Sequence, residues 1–229
     1  MKKLDMMAVA AFMATVSANA QFEKGTWSLQ PFVGGGFATI TNAGDLYLNN
    51  YKLDKKTTMA YLTGVEAEYQ FADKFSVAAG LNYTSQGTAW DDLKYPDGTK
   101  INEIEAELGY IKIPMVANFY IFKGFAVKAG VQFGFLVNSK LNMHAEGKTS
   151  FGDGVNRDTD IYTSINVKDE FNKFDFAIPV GVSYQFKVPI VIDARYQIGL
   201  TKLNKTNILS ANSCKNSVFT LTVGYKFAL

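Results

Sequence analysis

The chain has 229 residues, of which 48% are hydrophobic, 19% charged and 14% aromatic. That is enough apolar material for one large or two small domains, and it excludes a disordered chain. With 23 Lys and Arg against 21 Asp and Glu, the net charge is +2, so there is no overall electrostatic footprint for nucleic acid. The single cysteine, Cys214, and single histidine, His144, exclude an internal disulfide framework, a CxxC site and a multi-histidine metal centre within one chain. No cofactor is expected.

The N-terminus reads as a targeting segment. Lys2 and Lys3 precede an apolar run from Met6 to Val16, and Ala18-Asn19-Ala20 has the small-x-small pattern of a secretory cleavage site. The expectation is a signal peptide over 1–20 and a mature domain over 21–229. The competing reading is a buried N-terminal helix, and Asp5 sits close to the apolar run. No Cys follows the small residues, which argues against a lipoprotein anchor. No later stretch supplies the ~20 apolar residues of a spanning helix.

Beyond Gln21 the chain alternates with period two. The first predicted strand, Trp27 to Ile40, puts Trp27, Leu29, Val33 and Phe37 on one face, with Phe32 on the other. The second sets Tyr61, Val65, Ala67, Tyr69 and Phe71 against Gly64, Glu66, Glu68 and Gln70. The third sets Phe75, Val77, Ala79, Leu81 and Tyr83 against Ser76, Ala78, Gly80, Asn82 and Thr84. The fourth, Ile104 to Phe122, starts apolar on Ile104, Ala106, Leu108 and Tyr110, then switches to Ile111, Ile113, Met115, Ala117, Phe119 and Ile121. A one-residue slip flips every side chain, so the switch predicts a β-bulge near Tyr110-Ile111. Four more strands follow, at Phe125 to Val137, Phe174 to Phe186, Ile190 to Leu200 and Phe219 to Leu229.

Connections alternate between short and long. Ala72-Asp73-Lys74, Lys123-Gly124 and Lys187-Val188-Pro189 are tight, while about 41–59, 87–103, 138–172 and 201–216 are long. This pattern predicts an all-β fold: a closed, antiparallel, up-and-down, eight-stranded transmembrane β-barrel with periplasmic turns and four extracellular loops. An even strand count puts both mature termini in the periplasm. A soluble lipocalin-like barrel shares the period. Here, however, the less apolar face is mostly Gly, Ala, Ser, Asn, Thr and Gln, which suits a narrow interior, and Phe, Val, Ile and Tyr suit lipid. Aromatic residues near strand ends fit interfacial girdles.

Charged residues on the inward face fall near the predicted turns: Glu66, Glu68, Lys128, Asp193, Arg195 and Lys226. Three acids and three bases from four strands predict a salt-bridged plug, with Arg195 as forked donor. The alternative is loose pairing in trapped water.

Tyr110-Ile111-Lys112-Ile113-Pro114 with its Tyr-rich continuation, and the Gly124 to Leu136 segment after it, resemble the outer-membrane β-barrel domain family of the Bacteroides group, often labelled PorT-like. The resemblance covers about Phe22 to Leu229. It implies an outer-membrane location, an OmpX- or OmpA-like architecture and little about activity. The terminal Val223-Gly224-Tyr225-Lys226-Phe227 is similar to the signal read by the barrel-assembly machinery, with Leu229 replacing the commoner final Phe.

Reactive groups are sparse. His144 lies in the third long connection near Ser139, Ser150, Glu146 and Asp153, where a His–Ser pair would be needed for hydrolase chemistry. Asp153, Asp158 and Asp160 would suit calcium only weakly, since their spacing is not that of an EF-hand. Lys52, Lys55 and Lys56 form a small basic cluster with two readings, contact with lipopolysaccharide phosphates or, more simply, ordinary solvation, and Cys214 sits in the fourth long connection. The expected function is a non-enzymatic structural or surface-interaction barrel. Its expected partners are membrane lipid, lipopolysaccharide, and an extracellular ligand or secretion partner, with no nucleic acid. The alternatives are an accessory component of secretion or transport and, third, a lipid-modifying enzyme.

Overall fold

The computed structural model describes residues 23–42, 46–48, 51–95, 100–150, 156–205 and 213–229. The expected signal peptide over 1–20 lies outside them. Eight long strands form the wall: β1 (Trp27–Thr41), β2 (Thr58–Ala72), β3 (Phe75–Trp90), β4 (Lys100–Phe122), β5 (Phe125–Ser150), β6 (Phe174–Gln185), β7 (Ile190–Gly199) and β8 (Lys215–Tyr225). Each pairs antiparallel with its chain neighbour. β8 pairs back onto β1 from Phe32↔Gly224 to Thr41↔Lys215. The sheet therefore has no free edge around this ring. Below it, Phe227–Ala228 pairs with Ser28–Leu29, and the Leu229 amide donates to the Trp27 carbonyl at 2.9 Å, so the two ends of the described chain meet.

The three short turns gather at this same end, which is called the turn end below. Gly124 closes the β4–β5 turn at φ 85, a conformation that side chains with a Cβ disfavour. The opposite, loop end is taller. β4 and β5 overrun their neighbours, and Asn156–Asn166 folds back on β5 from Asn156↔Ser150 to Asn166↔Lys140. The long polar connection expected over 138–172 is thus largely a raised β-hairpin. Its Thr-, Ile- and Tyr-containing returning strand, NRDTDIYTSIN, supplies the β-formers. β3 likewise runs on to Trp90, past the expected strand end.

Side-chain parity gives the barrel two cross-sections. From the turn end to about mid-height, outward positions carry large apolar side chains such as Val77, Leu81, Ile113, Met115, Val180, Ile192 and Leu221, all exposed. Inward positions there are polar. Toward the loop end the arrangement reverses, and Ile40, Leu53, Trp90, Leu93, Ile104, Leu108, Leu136, Phe171 and Leu203 pack into an apolar core inside the barrel.

This reversal corrects the expected bulge. β4 keeps one parity from Ile104 to Tyr120: Ile104, Ala106, Leu108, Tyr110, Lys112, Val116, Asn118 and Tyr120 are all buried. The apolar row switches faces because its surroundings change, not because the strand slips. A register shift does occur at Gly109↔Asn138 and Tyr110↔Leu136, but the extra residue is Val137 on β5. There Leu136 and Ser139 both point inward, so the slip falls on β5. A second shift at Asn102/Glu105 places the extra residue on β4, with Glu103 at φ 55. Phe32, on the unexpected face of β1, lines the lumen beside Gln30 and Leu62.

Candidate functional site

The six charged positions singled out from the sequence converge on the lower lumen. β2 and β7 bring Glu66 and Arg195 together at 2.8 Å, Nη1 to Oε2. The Arg195 guanidinium also grips Asp193, with Nε to Oδ1 at 2.7 Å and Nη2 to Oδ2 at 3.0 Å. This two-residue spacing on one strand is what lets the planar fork span both carboxylates. Lys128 reaches across from β5 to Asp193 at 2.6 Å and to Glu66 at 3.4 Å. Lower down, the Lys226 ammonium meets Glu68 at 2.8 Å. Glu68 also accepts from the Ser76 hydroxyl at 2.7 Å and the Tyr120 hydroxyl at 2.6 Å. The Asn118 amide then donates to Ser76 at 2.8 Å.

Glu66, Glu68, Lys128, Asp193 and Lys226 are all buried. Charges out of water persist only when paired and hydrogen-bonded. Eight strands give a lumen narrow enough for side chains to meet across it. A cavity of ≈ 10 Å³ remains beside Arg195, bordered by Gln30, Asn82, Gln132 and Gln197, which is room for about one water molecule.

Sequence reading missed two members of the lumen set, Lys112 and Asp175. Both are buried. Lys112 donates to the side-chain carbonyls of Gln86 at 2.5 Å and Gln197 at 2.7 Å, and Gln132 donates to Gln197 at 2.9 Å. Its Nζ lies 5.7 Å from the Tyr110 ring centre. With these two, four carboxylates (Glu66, Glu68, Asp175, Asp193) balance four cations (Lys112, Lys128, Arg195, Lys226) in the described lumen. The signal was legible, since Lys112 alternates with Ile111 and Ile113, and Asp175 with Phe174 and Phe176.

The other candidates do not assemble. His144 Nε2 lies 2.7 Å from Asp160, its ring stacks on Tyr162 at 3.8 Å, and Nδ1 is 3.6 Å from Glu146. Ser139 pairs with Leu108 while His144 pairs with Asn102. Five residues of strand, ~17 Å, therefore separate them, so Ser139 is out of reach of the His144 ring. Asp153 and the side chain of Ser150 lie outside the described residues. Among the described residues no group of three His, Cys, Asp or Glu is placed to hold a metal ion. Asp158 and Asp160 flank the hairpin as exposed carboxylates.

The expected basic cluster is dispersed: Lys52 pairs with Asp54 at 3.0 Å, Lys56 with Asp91 at 2.5 Å, and Lys55 donates to the Ile40 carbonyl at 2.7 Å. Cys214 belongs to the loop-end apolar core. Burial pushes its thiol pKa up, opposed by Lys55 and Lys202 nearby.

Among solved structures, the chain is similar to Ail, the attachment invasion locus protein of Yersinia pestis, crystallised with the heparin analogue sucrose octasulfate. The identity is 16%, over 90% of this chain and 100% of that one, with a TM-score of 0.46. It is similar to the neisserial surface protein NspA at 14% identity, over 88% and 97% of the two chains, with a TM-score of 0.42. For OprG of Pseudomonas aeruginosa the values are 16%, 92%, 100% and 0.42. Comparison with curated proteins returns no match. The model of the outer membrane protein beta-barrel domain matches residues 18–205. With most of its length inside that match, the chain belongs to the outer membrane protein β-barrel domain family.

Proposed function

We propose that the protein is a closed, non-conducting barrel that holds a raised surface hairpin outside the cell. The observation that carries this reading is the filling of the lumen at two successive levels by different chemistry. Near the turn end, Arg195, Lys128, Glu66 and Asp193 interlock. Nearer the loop end, Ile104, Leu108, Leu136 and Phe171 pack into one apolar cluster. An ion would have to break the first layer and then shed its water in the second.

In this reading the short turns and both mature termini face the periplasm, 1–20 is the cleaved signal, and the β5 hairpin stands in the medium. The motif at Tyr110-Ile111-Lys112-Ile113-Pro114 argues for the PorT-like branch of the Bacteroides group. Val223 to Phe227 is the segment that the assembly machinery would read. A structural or surface-interaction role follows from a rigid stem bearing an exposed strand with Ile161, Tyr162 and Ile165 open to solvent.

An accessory role in secretion or transport would use the same hairpin. It predicts a stable complex that co-purifies from native membranes, and its absence removes that alternative.

Planar-bilayer recording tests the closed barrel. The expected result is no steady conductance from the wild type. Arg195→Ala alone should stay closed because the apolar level remains, and current should need Arg195→Ala combined with Leu108→Ser. Large, steady wild-type conductance would refute the reading.

A further inference from the structure

Charged side chains ring the loop end of the barrel. Above the apolar outward band, β4 carries Glu103, Glu105 and Glu107. Glu105 accepts from the Thr58 hydroxyl, and Glu107 from the Ser85 hydroxyl at 3.0 Å. Across the barrel, Lys173 immediately precedes β6, Lys202 lies three residues beyond β7 and Lys215 opens β8. The Asn172 amide donates to the Leu203 carbonyl at 2.7 Å, and the Leu203 amide to the Cys214 carbonyl at 2.8 Å, extending the ladder upward. The Asn172 side chain also donates to the Lys202 carbonyl at 2.7 Å. Lys173, Lys202 and Lys215 are therefore successive neighbours across three strand ends, at roughly 5 Å spacings of the backbone.

Lys173 and Lys202 are exposed and Lys215 half-buried. The ion pairs of the described residues pass these three by, whereas Lys52 and Lys56 have carboxylate partners. Like charges side by side on neighbouring strands repel, so the row calls for an anion. Below it on the same strands, Phe174, Leu200 and Phe219 are exposed. The ammonium groups thus stand at the boundary between apolar and polar surface, where lysine stems lie along lipid and the charges reach the headgroups.

We infer that Lys173, Lys202 and Lys215 form a docking surface for the phosphate of an anionic lipid headgroup in the leaflet around the loop end. Three ammonium groups supply donors to phosphate oxygens without any covalent step. The inference rests on the outer-membrane location of the barrel but not on its closure, so a conducting barrel would leave it standing.

The test is native mass spectrometry of the full chain in neutral detergent, titrated with lipid A bearing its phosphates or with dephosphorylated lipid A. Wild type should retain the phosphorylated form, and the Lys173→Gln/Lys202→Gln/Lys215→Gln variant should retain it roughly tenfold less or worse. Lys52→Gln/Lys56→Gln should match the wild type. Heat-modifiable gel migration checks that each variant is folded, and Lys202→Glu serves if the triple variant is not. Equal retention of both lipids, or no loss in a folded variant, overturns the assignment. Equally tight capture of inorganic phosphate alone would overturn the lipid as its source.

Discussion

The two ends of this barrel solve opposite problems with one strand. On β4, Ile113, Met115 and Phe119 face outward over buried Lys112 and Asn118, yet a few residues up Glu105 and Glu107 face outward over buried Ile104 and Leu108. At the turn end the surroundings are lipid, so apolar groups belong outside and the polar interior must satisfy itself. At the loop end the surroundings are water, and the apolar groups belong inside, as in a soluble barrel. The lesson is that the place where the apolar row changes faces marks the membrane boundary. On β4 that place lies between Glu107 and Ile111.

Five substitutions would break or sharpen this contrast, each read by reversible unfolding from lipid vesicles. Glu66→Ala should have the largest effect, about 3–5 kcal/mol, because it leaves Arg195 and Lys128 to share Asp193 alone in the buried lumen. Glu66→Gln should recover part of that. Leu108→Ala attacks the loop-end core. It should cost about 2–5 kcal/mol as a cavity with no lost hydrogen bond. If it were neutral, the apolar seal would not be a packed core.

Next comes the outward face. Val180→Arg should cost about 2–4 kcal/mol if it sits near the bilayer midplane. A water-like cost there would place the hydrophobic band elsewhere. Glu107→Gln, outward on β4 but above the boundary, should change stability by about 0.5 kcal/mol or less. A penalty as large as that of Val180→Arg would mean that the boundary is wrongly drawn.

Much of this was legible in the sequence, because a β-strand writes its environment into alternate residues. The eight strands, their up-and-down order and the tight turns follow from period two and from Gly124 and the other turn residues. The inward positions of Glu66, Glu68, Lys128, Asp193, Arg195 and Lys226 also follow from parity alone. Parity does not say which strand bears a bulge. The face switch on β4 looked like a slip there, and only the pairing showed that Val137 on β5 is the extra residue.

Other features were decided only by the tertiary structure, for a common reason: they depend on residues far apart in sequence. Arg195 meets Glu66 across 129 positions, and Lys226 meets Glu68 across 158. The lysine row likewise joins three separate strand ends. The raised hairpin was invisible because NRDTDIYTSIN is too polar to read as a strand until β5 supplies its ladder. Alternation reports which side of the wall a residue faces, while ring closure alone brings opposite walls within hydrogen-bonding distance.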